Sequence, residues 1–379
     1  MLICCNSLGN GFAGFEKMRI SKKKIKKGAV FIALSLLCVF LLSVSGNALG
    51  KAFTVSAWGY LPGASLYISD KDSKSYFRLA LPGRTSDSEI KIGETSSQEE
   101  SFADTTPTGG TIGSIVKKHY ASNAGGVFLP YDGGALLKNV TSIPHDEVRE
   151  HMRNAPDLKI ETGTAEDAPQ VLIYHTHTTE SFEYVDKSTY DSAYNARTRD
   201  KTRNMVAVGD RIVEKLKAAG IMTVHDDTEH DFPSYTGAYE RSAETIKRYL
   251  EKYPSIKVMI DVHRDAISGD DGTRFGAVAD VGGKKAAQLM IISGADNGKL
   301  NFPNFFSNLA FSSAVQTQLE EDSPGLTRPI LFDYRKYNQN LLPNSFLLEV
   351  GSHGNCLTEA FYSADLFGDS LAKVLLKYS

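Results

Sequence analysis

From Val171 to the C-terminus, short apolar runs alternate with segments of helical periodicity, and this alternation narrows the fold more than any other feature of the chain. Val171-Leu172-Ile173-Tyr174 has no polar face, the pattern of a strand covered on both sides. Met205, Val206, Val208, Ile212, Val213, Leu216 and Ala219 then recur at helical spacing, and Gly220 stops them before a strand that starts at Ile221. Ala238–Tyr253 predicts a second helix closed by Pro254, Ile256–Val262 a strand, Ala287–Ser293 another, and Phe305–Leu319 a helix. Ser345–Val350 predicts a last strand and Leu357 onward a final helix. Such an order predicts an α/β domain over 168–379, with a mainly parallel sheet and helices on both faces.

Upstream, Lys22, Lys23, Lys24, Lys26 and Lys27 sit directly before an almost unbroken apolar run from Ala29 to Val44. That asymmetry places residues 1–27 in the cytoplasm and the rest outside. Residues 28–49 read as a transmembrane anchor; a cleaved signal peptide is the rival, because Ser45-Gly46-Asn47-Ala48 offers small residues at a cleavage position. Residues 50–110 read as a stalk and linker, since Arg84–Gly110 is rich in Ser, Thr, Glu and Asp and nearly without large apolar residues. Residues 111–167 read as an accessory region. Cys4 and Cys5 precede the apolar run and Cys38 lies within it, so Cys356 stands alone in the exported part and has no disulfide partner there. Nothing in its sequence surroundings stabilises a Cys356 thiolate for nucleophilic work. A net charge of -3 without a clustered basic face gives no footing for nucleic acid.

In sheets of this kind, functional residues gather beyond the carboxyl ends of the strands. Three segments place metal-competent side chains there: Tyr174-His175-Thr176-His177-Thr178-Thr179-Glu180, Asp261-Val262-His263-Arg264-Asp265, and Glu349-Val350-Gly351-Ser352-His353-Gly354-Asn355. A catalytic zinc takes about three N or O ligands and leaves one position open. His177, Glu180 and His263 form a two-His, one-Glu set of that kind, and Glu349 is the carboxylate left to move the proton. His175 and His177 are two apart and would face the same side of an extended backbone, so His177 is preferred as ligand and His175 as a supporting or substrate-contacting group. Asp200 is the rival to Glu180; its plain reading is a carboxylate near a helix N-terminus. Arg264 has two readings, an ion pair with Asp265 or a fork for a substrate carboxylate. His353 reads as an oxyanion donor or as a cap of the last helix, and Asp261 as the group that orients His263. His225 and His230 lie in an acidic loop, with Asp226, Asp227, Glu229 and Asp231, that reads as solvated.

These three blocks, together with Asn204–Asp210, His225-Asp226, Asp231 and Pro233-Ser234-Tyr235, resemble the signature segments of the stage II sporulation protein P family from about Pro169 to the C-terminus. Ser352 departs from the pattern, where the family block leads one to expect Gly, and predicts a stiffer loop after Glu349. The resemblance implies a zinc N-acetylmuramoyl-L-alanine amidase fold of the phosphorylase/hydrolase-like type behind an N-terminal membrane anchor. It also implies cleavage of the amide between muramic acid and the stem peptide of peptidoglycan, with endopeptidase activity on crosslinks. It further implies action in engulfment during endospore formation, in the space between the septal membranes, alongside stage II sporulation proteins D and M. Two other readings of the residues remain: a zinc carboxypeptidase or endopeptidase on stem peptides, and a wall-binding scaffold without catalysis. The scaffold reading leaves four polar positions on separate elements unexplained, where burial penalises them.

Overall fold

The computed structural model describes residues 53–56, 65–71, 74–80, 109–120 and 127–379. The apolar segment at 28–49 and the polar stretch at 84–108 lie outside these residues, and among those described no helix is long and apolar enough to cross a membrane. Two compact units divide after Ser96. In the first, β1 (Phe53–Ser56), β2 (Ser65–Lys71) and β3 (Lys74–Ala80) form an antiparallel three-stranded sheet, so the stretch expected to be only stalk carries regular structure. Aromatic and β-branched residues such as Tyr67, Ile68, Tyr76 and Phe77 favour strands over the polar chain that follows.

The second unit is α/β with two sheets. Its elements are β4 (Ile112–Lys118), β5 (Phe128–Pro130), β6 (Leu136–Asn139), α1 (His145–Met152), β7 (Val171–Tyr174), β8 (Thr189–Asp191), α2 (Met205–Ala218), β9 (Thr223–His225) and α3 (Ala238–Lys252). There follow β10 (Val258–Asp265), β11 (Arg274–Val281), β12 (Lys284–Ala287), β13 (Leu289–Gly294), α4 (Phe305–Asp322), β14 (Ile330–Asp333), β15 (Ser345–Ser352) and α5 (Leu357–Lys377). An eight-stranded sheet runs β5-β6-β14-β13-β15-β10-β7-β9, and a four-stranded sheet runs β12-β11-β4-β8. In the large sheet β9, β7, β10 and β15 are parallel neighbours; the sense reverses between β15 and β13, and again between β6 and β5. The sheet is therefore mixed, with parallel pairing where the chemistry lies. Residues 111–167 contribute β4 to the small sheet and β5 and β6 to the large one.

Side-chain parity assigns the two faces. Val171 and Ile173 of β7, Val258, Ile260 and Val262 of β10, and Phe346, Leu348 and Val350 of β15 pack into one core with residues of α1, α2, α4 and α5. Leu172 and Tyr174 of β7 and Met259 of β10 pack on the other face with Ile246 of α3. Asp261, His263 and Glu349 share the parity of this second face, and a strand keeps alternate residues on one side. Helices thus cover both faces, with α3 on the side that carries the polar residues. Asn204 caps α2, its side chain accepting from the Val206 N–H, and Gly220 just past the helix takes the left-handed φ of 80° that a Cβ disfavours.

Candidate metal centre

Strand β7 ends at Tyr174, and the next six residues form a tight turn in which each threonine is pinned. Thr176 donates its N–H and hydroxyl to the two oxygens of Asp261 at 2.8 and 2.7 Å. Thr178 donates to the His175 carbonyl and to the Thr228 carbonyl, and Thr179 donates to Asp231. Arg197 joins this base by bridging Asp231 at 2.7 Å and Glu180 at 3.1 Å. The acidic loop expected to be solvated is in part buried for this reason: Asp231 is held by Thr179 and Arg197, and His230 lies between the His175 carbonyl and Thr245.

The turn brings His177 and Glu180 against His263 of β10. Glu180 Oε1 lies 3.5 Å from His177 Nδ1 and its Oε2 lies 3.5 Å from His263 Nδ1, while all three residues are buried. With metal–ligand bonds of about 2.0–2.1 Å, the edge of a tetrahedral zinc site is about 3.4 Å, so these spacings fit a shared ion and are long for direct hydrogen bonds. His263 Nε2 lies 2.8 Å from Asp261 Oδ1, off the line of an ideal hydrogen bond, and this leaves Nδ1 turned to Glu180. Burial pushes the Glu180 carboxyl up, but the facing imidazoles of His177 and His263 and the Arg264 charge outweigh it and hold the carboxyl well below the usual range. Burial likewise lowers His263, and the Asp261 and Glu180 charges overcome that to raise it well above its usual value. One carboxylate and two imidazoles thus converge as a donor set that suits zinc.

Glu349 of β15 is the in-register neighbour of His263 across the parallel pair. Although the residue keeps some exposure, Oε2 is buried and has no hydrogen-bond partner among the described residues. Burial, with the charges of Asp265 and Glu180 nearby, pushes its carboxyl up to about 8 against the pull of His263 and Arg328. A carboxyl with a pKa near neutrality is matched to proton transfer.

His175 is elsewhere. Because the strand has ended, the two-residue parity that would put it beside His177 no longer holds, and its ring turns to the α2 face. There Nδ1 lies 2.8 Å from the Val262 carbonyl, Nε2 lies 2.8 Å from His225 Nε2, and His225 Nδ1 lies 2.9 Å from Asp210. A carbonyl accepts only, so His175 carries its proton on Nδ1 and His225 donates to Nε2. Burial and the His225 charge lower His175 to about 3. Gly209 permits this edge-on contact: a Cβ there would stand 2.5 Å from His225 Nε2 and 2.8 Å from His175 Nε2. A surface cleft of about 570 Å³ reaches His225 and Asp210 but none of His177, Glu180 or His263.

The remaining candidates make contacts of their own within the fold. Arg264 does not pair with the Asp265 carboxylate: its guanidinium donates to the carbonyls of Ser181, Ala196 and Asp265, its N–H reaches Glu180 Oε2 at 3.2 Å, and Asp265 pairs with Arg328 instead. Asp200 is not in the group; it closes its own turn by accepting from Thr202 and meets Arg203. His353 is buried with Nε2 3.2 Å from the Ser268 hydroxyl, and it does not cap α5, whose N-cap is Cys356. Ser352 uses its hydroxyl to donate to the Phe275 carbonyl, which anchors the loop after Glu349. A second acidic cluster, Asp186, Cys356 and Glu359, is claimed by Lys117, 3.2 Å from Asp186 and 2.8 Å from Glu359. Arg197, Tyr235 and Tyr239, which surround the centre, had no signal in spacing or periodicity.

Comparison with known proteins bears on this arrangement. Stage II sporulation protein P of Bacillus subtilis (strain 168) is 28% identical over 221 residues, covering 54% of this chain and 52% of that protein, so the chain spans about half the length of its curated relative. Among solved structures, N-acetylmuramoyl-L-alanine amidase AmiC2 of Nostoc punctiforme overlaps 57% of this chain and 98% of its own at 13% identity, with a TM-score of 0.33. An N-acetylmuramoyl-L-alanine amidase of Clostridium difficile 630 overlaps 56% and 97% at 15% identity, again with a TM-score of 0.33. Superpositions that loose carry no functional weight. The family model described as stage II sporulation protein P matches residues 86–372, well over half of the sequence and all of the site, and the chain belongs to that family.

Proposed function

We propose that this protein is a zinc-dependent peptidoglycan amidase that hydrolyses the amide between N-acetylmuramic acid and the L-alanine of the stem peptide. The observation that carries the reading is the convergence of His177, Glu180 and His263 with Glu349 in register beside them. Family membership supports the setting in spore formation. Zinc held by the three residues supplies Lewis acidity toward a carbonyl oxygen, acidifies water toward neutrality and, by its charge, draws the Glu349 carboxyl down.

Glu349 takes a proton from the attacking water and returns it to the leaving amine nitrogen of L-alanine, a shuttle suited to a carboxyl that titrates near neutral pH. Asp261 holds the His263 ring in one orientation, and Arg264 fixes the backbone next to Glu180 by binding the Ser181 and Ala196 carbonyls. In this account residues 28–49 anchor the chain in the membrane, the 97–379 unit faces the wall in the septal space during engulfment, and stage II sporulation proteins D and M are its partners. The basic cluster before the apolar run supports that topology.

The test is mass analysis of purified peptidoglycan digested by the zinc-loaded protein and by Glu349→Gln. Intact stem peptides freed from muramic acid, lost in the variant, support the amidase. Shortened peptides still attached to sugar identify a carboxypeptidase or endopeptidase instead, and an unchanged wall with one zinc per chain identifies a scaffold.

A further inference from the structure

Three tyrosines surround the metal centre without belonging to its donor set. Tyr235 is 57% exposed and stacks on His177, with ring centroids 4.4 Å apart and 26° between planes. Tyr239, in the first turn of α3, lies parallel to His263 at 6.4 Å and edge-on to His177 at 5.5 Å. Tyr337 leans on Tyr239 at 5.1 Å. The rings make a continuous aromatic rim that begins at the candidate ligands and runs outward to solvent.

The backbone is strained to keep that rim. Tyr337 and Asn338 both adopt left-handed conformations, with φ of 43° and 59°, and a bulky residue there is an outlier of the kind found where function fixes the chain. Asn338 Nδ2 donates to the Tyr239 carbonyl at 2.9 Å and to the Ser242 hydroxyl at 3.0 Å. Ser242 meets the Thr176 hydroxyl at 2.8 Å, and Thr176 bonds Asp261 beside His263. The strained turn is thus tied by hydrogen bonds to the centre itself.

The chemistry of the rim selects its ligand. Aromatic faces are negative and attract weakly positive C–H bonds, and the phenol hydroxyls add hydrogen-bonding edges. A pyranose ring presents that combination, with a face of C–H bonds bordered by hydroxyls. A peptide rich in carboxylates would instead need unpaired cations. The two guanidinium groups that touch the rim are already paired: Arg197, over Tyr235, with Glu180 and Asp231, and Arg335, at the Tyr337 hydroxyl, with Asp333. We propose that Tyr235, Tyr239 and Tyr337 form a pyranose subsite that seats a sugar ring of the glycan strand beside the metal centre. This deepens the amidase reading and rests on it for the identity of the sugar.

The test titrates the zinc-loaded protein with a tetramer of β-1,4-linked N-acetylglucosamine, following binding by calorimetry, in the wild type, Tyr235→Ala and Tyr235→Phe. Tyr235→Ala should weaken binding about 3- to 10-fold, the worth of one aromatic contact, while Tyr235→Phe, which keeps the ring face and loses only the hydroxyl, weakens it less than Tyr235→Ala, and both keep their zinc. On intact wall, Tyr235→Ala should raise KM more than it lowers kcat. Sugar binding that is absent in the wild type or indifferent to Tyr235→Ala overturns the subsite, as does weakening confined to a free stem-peptide probe. Hydrolysis of wall by the wild type is scored separately: tyrosine-dependent sugar binding without hydrolysis keeps the subsite and removes the amidase, and hydrolysis with tyrosine-independent sugar binding does the reverse.

Discussion

Replacing Glu349 by Gln separates what this carboxyl costs the fold from what it does for chemistry. The wild-type group rises from an ordinary value of 4.5 to about 8 because it is buried with Oε2 unpartnered and near Asp265 and Glu180. Between those two values the folded chain keeps a proton that the unfolded chain releases, so the wild type loses stability as pH rises through that window and no further above it. At about 1.4 kcal/mol per pH unit the full penalty is about 5 kcal/mol. Residual exposure of Glu349 screens it, and about 2–3 kcal/mol is the expected remainder. Gln keeps the shape and does not titrate. Metal-free Glu349→Gln should therefore match the wild type near pH 4 and exceed it by that amount at pH 9, about 4–10 °C in Tm. The zinc-loaded variant should meanwhile lose about 10²- to 10⁴-fold in turnover. The measurement is chemical or thermal unfolding of both metal-free proteins from pH 4 to 9. Parallel stability curves, or a wild type that gains on the variant at high pH, would refute the reasoning.

Other expectations follow from the same geometry. Gly209→Ala improves helix propensity yet pushes a methyl into both ends of the His175–His225 contact, so it should destabilise by about 1–3 kcal/mol; an unchanged Tm contradicts it. His353 is lowered to about 3 by burial and by the Arg264 and Arg274 charges, so the folded chain refuses a proton that the unfolded chain accepts below 6.5. Its stabilising share is present above 6.5 and is lost as pH falls toward 3, at no more than about 1.4 kcal/mol per pH unit. His353→Asn should flatten that acid limb in a pH series of denaturant midpoints. Asp261→Asn removes the charge that orients His263 and should weaken zinc about 10- to 100-fold in competition with a chelator; unchanged affinity removes Asp261 from the account.

The strands and helices that carry the chemistry were legible because β7, β10 and β15 are buried and read as apolar runs, α2 is periodic between Asn204 and Gly220, and α3 is periodic up to Pro254. Strand-end topology also pointed to His177, Glu180, His263 and Glu349, which the fold brings together. Strands such as β11 and β14 were not legible, since Arg274–Val281 and Ile330–Asp333 alternate too weakly to stand out. His175 was misplaced because parity was extended past Tyr174, where the strand has already become a turn. The acidic loop looked solvated because the cation that buries Asp231, Arg197, comes from 34 residues away in sequence. The Arg264–Asp265 pairing misled in a similar way: the guanidinium binds backbone carbonyls, which leave no mark in a sequence.

Diffraction from zinc-loaded crystals, with anomalous signal recorded on both sides of the zinc edge, tests the central claim most directly. The account predicts one strong peak per chain, within about 2.0–2.2 Å of His177 Nδ1, His263 Nδ1 and a Glu180 oxygen, with Glu349 beside it but not bound. A peak at His175 and His225, at Asp200, or absent altogether would contradict it.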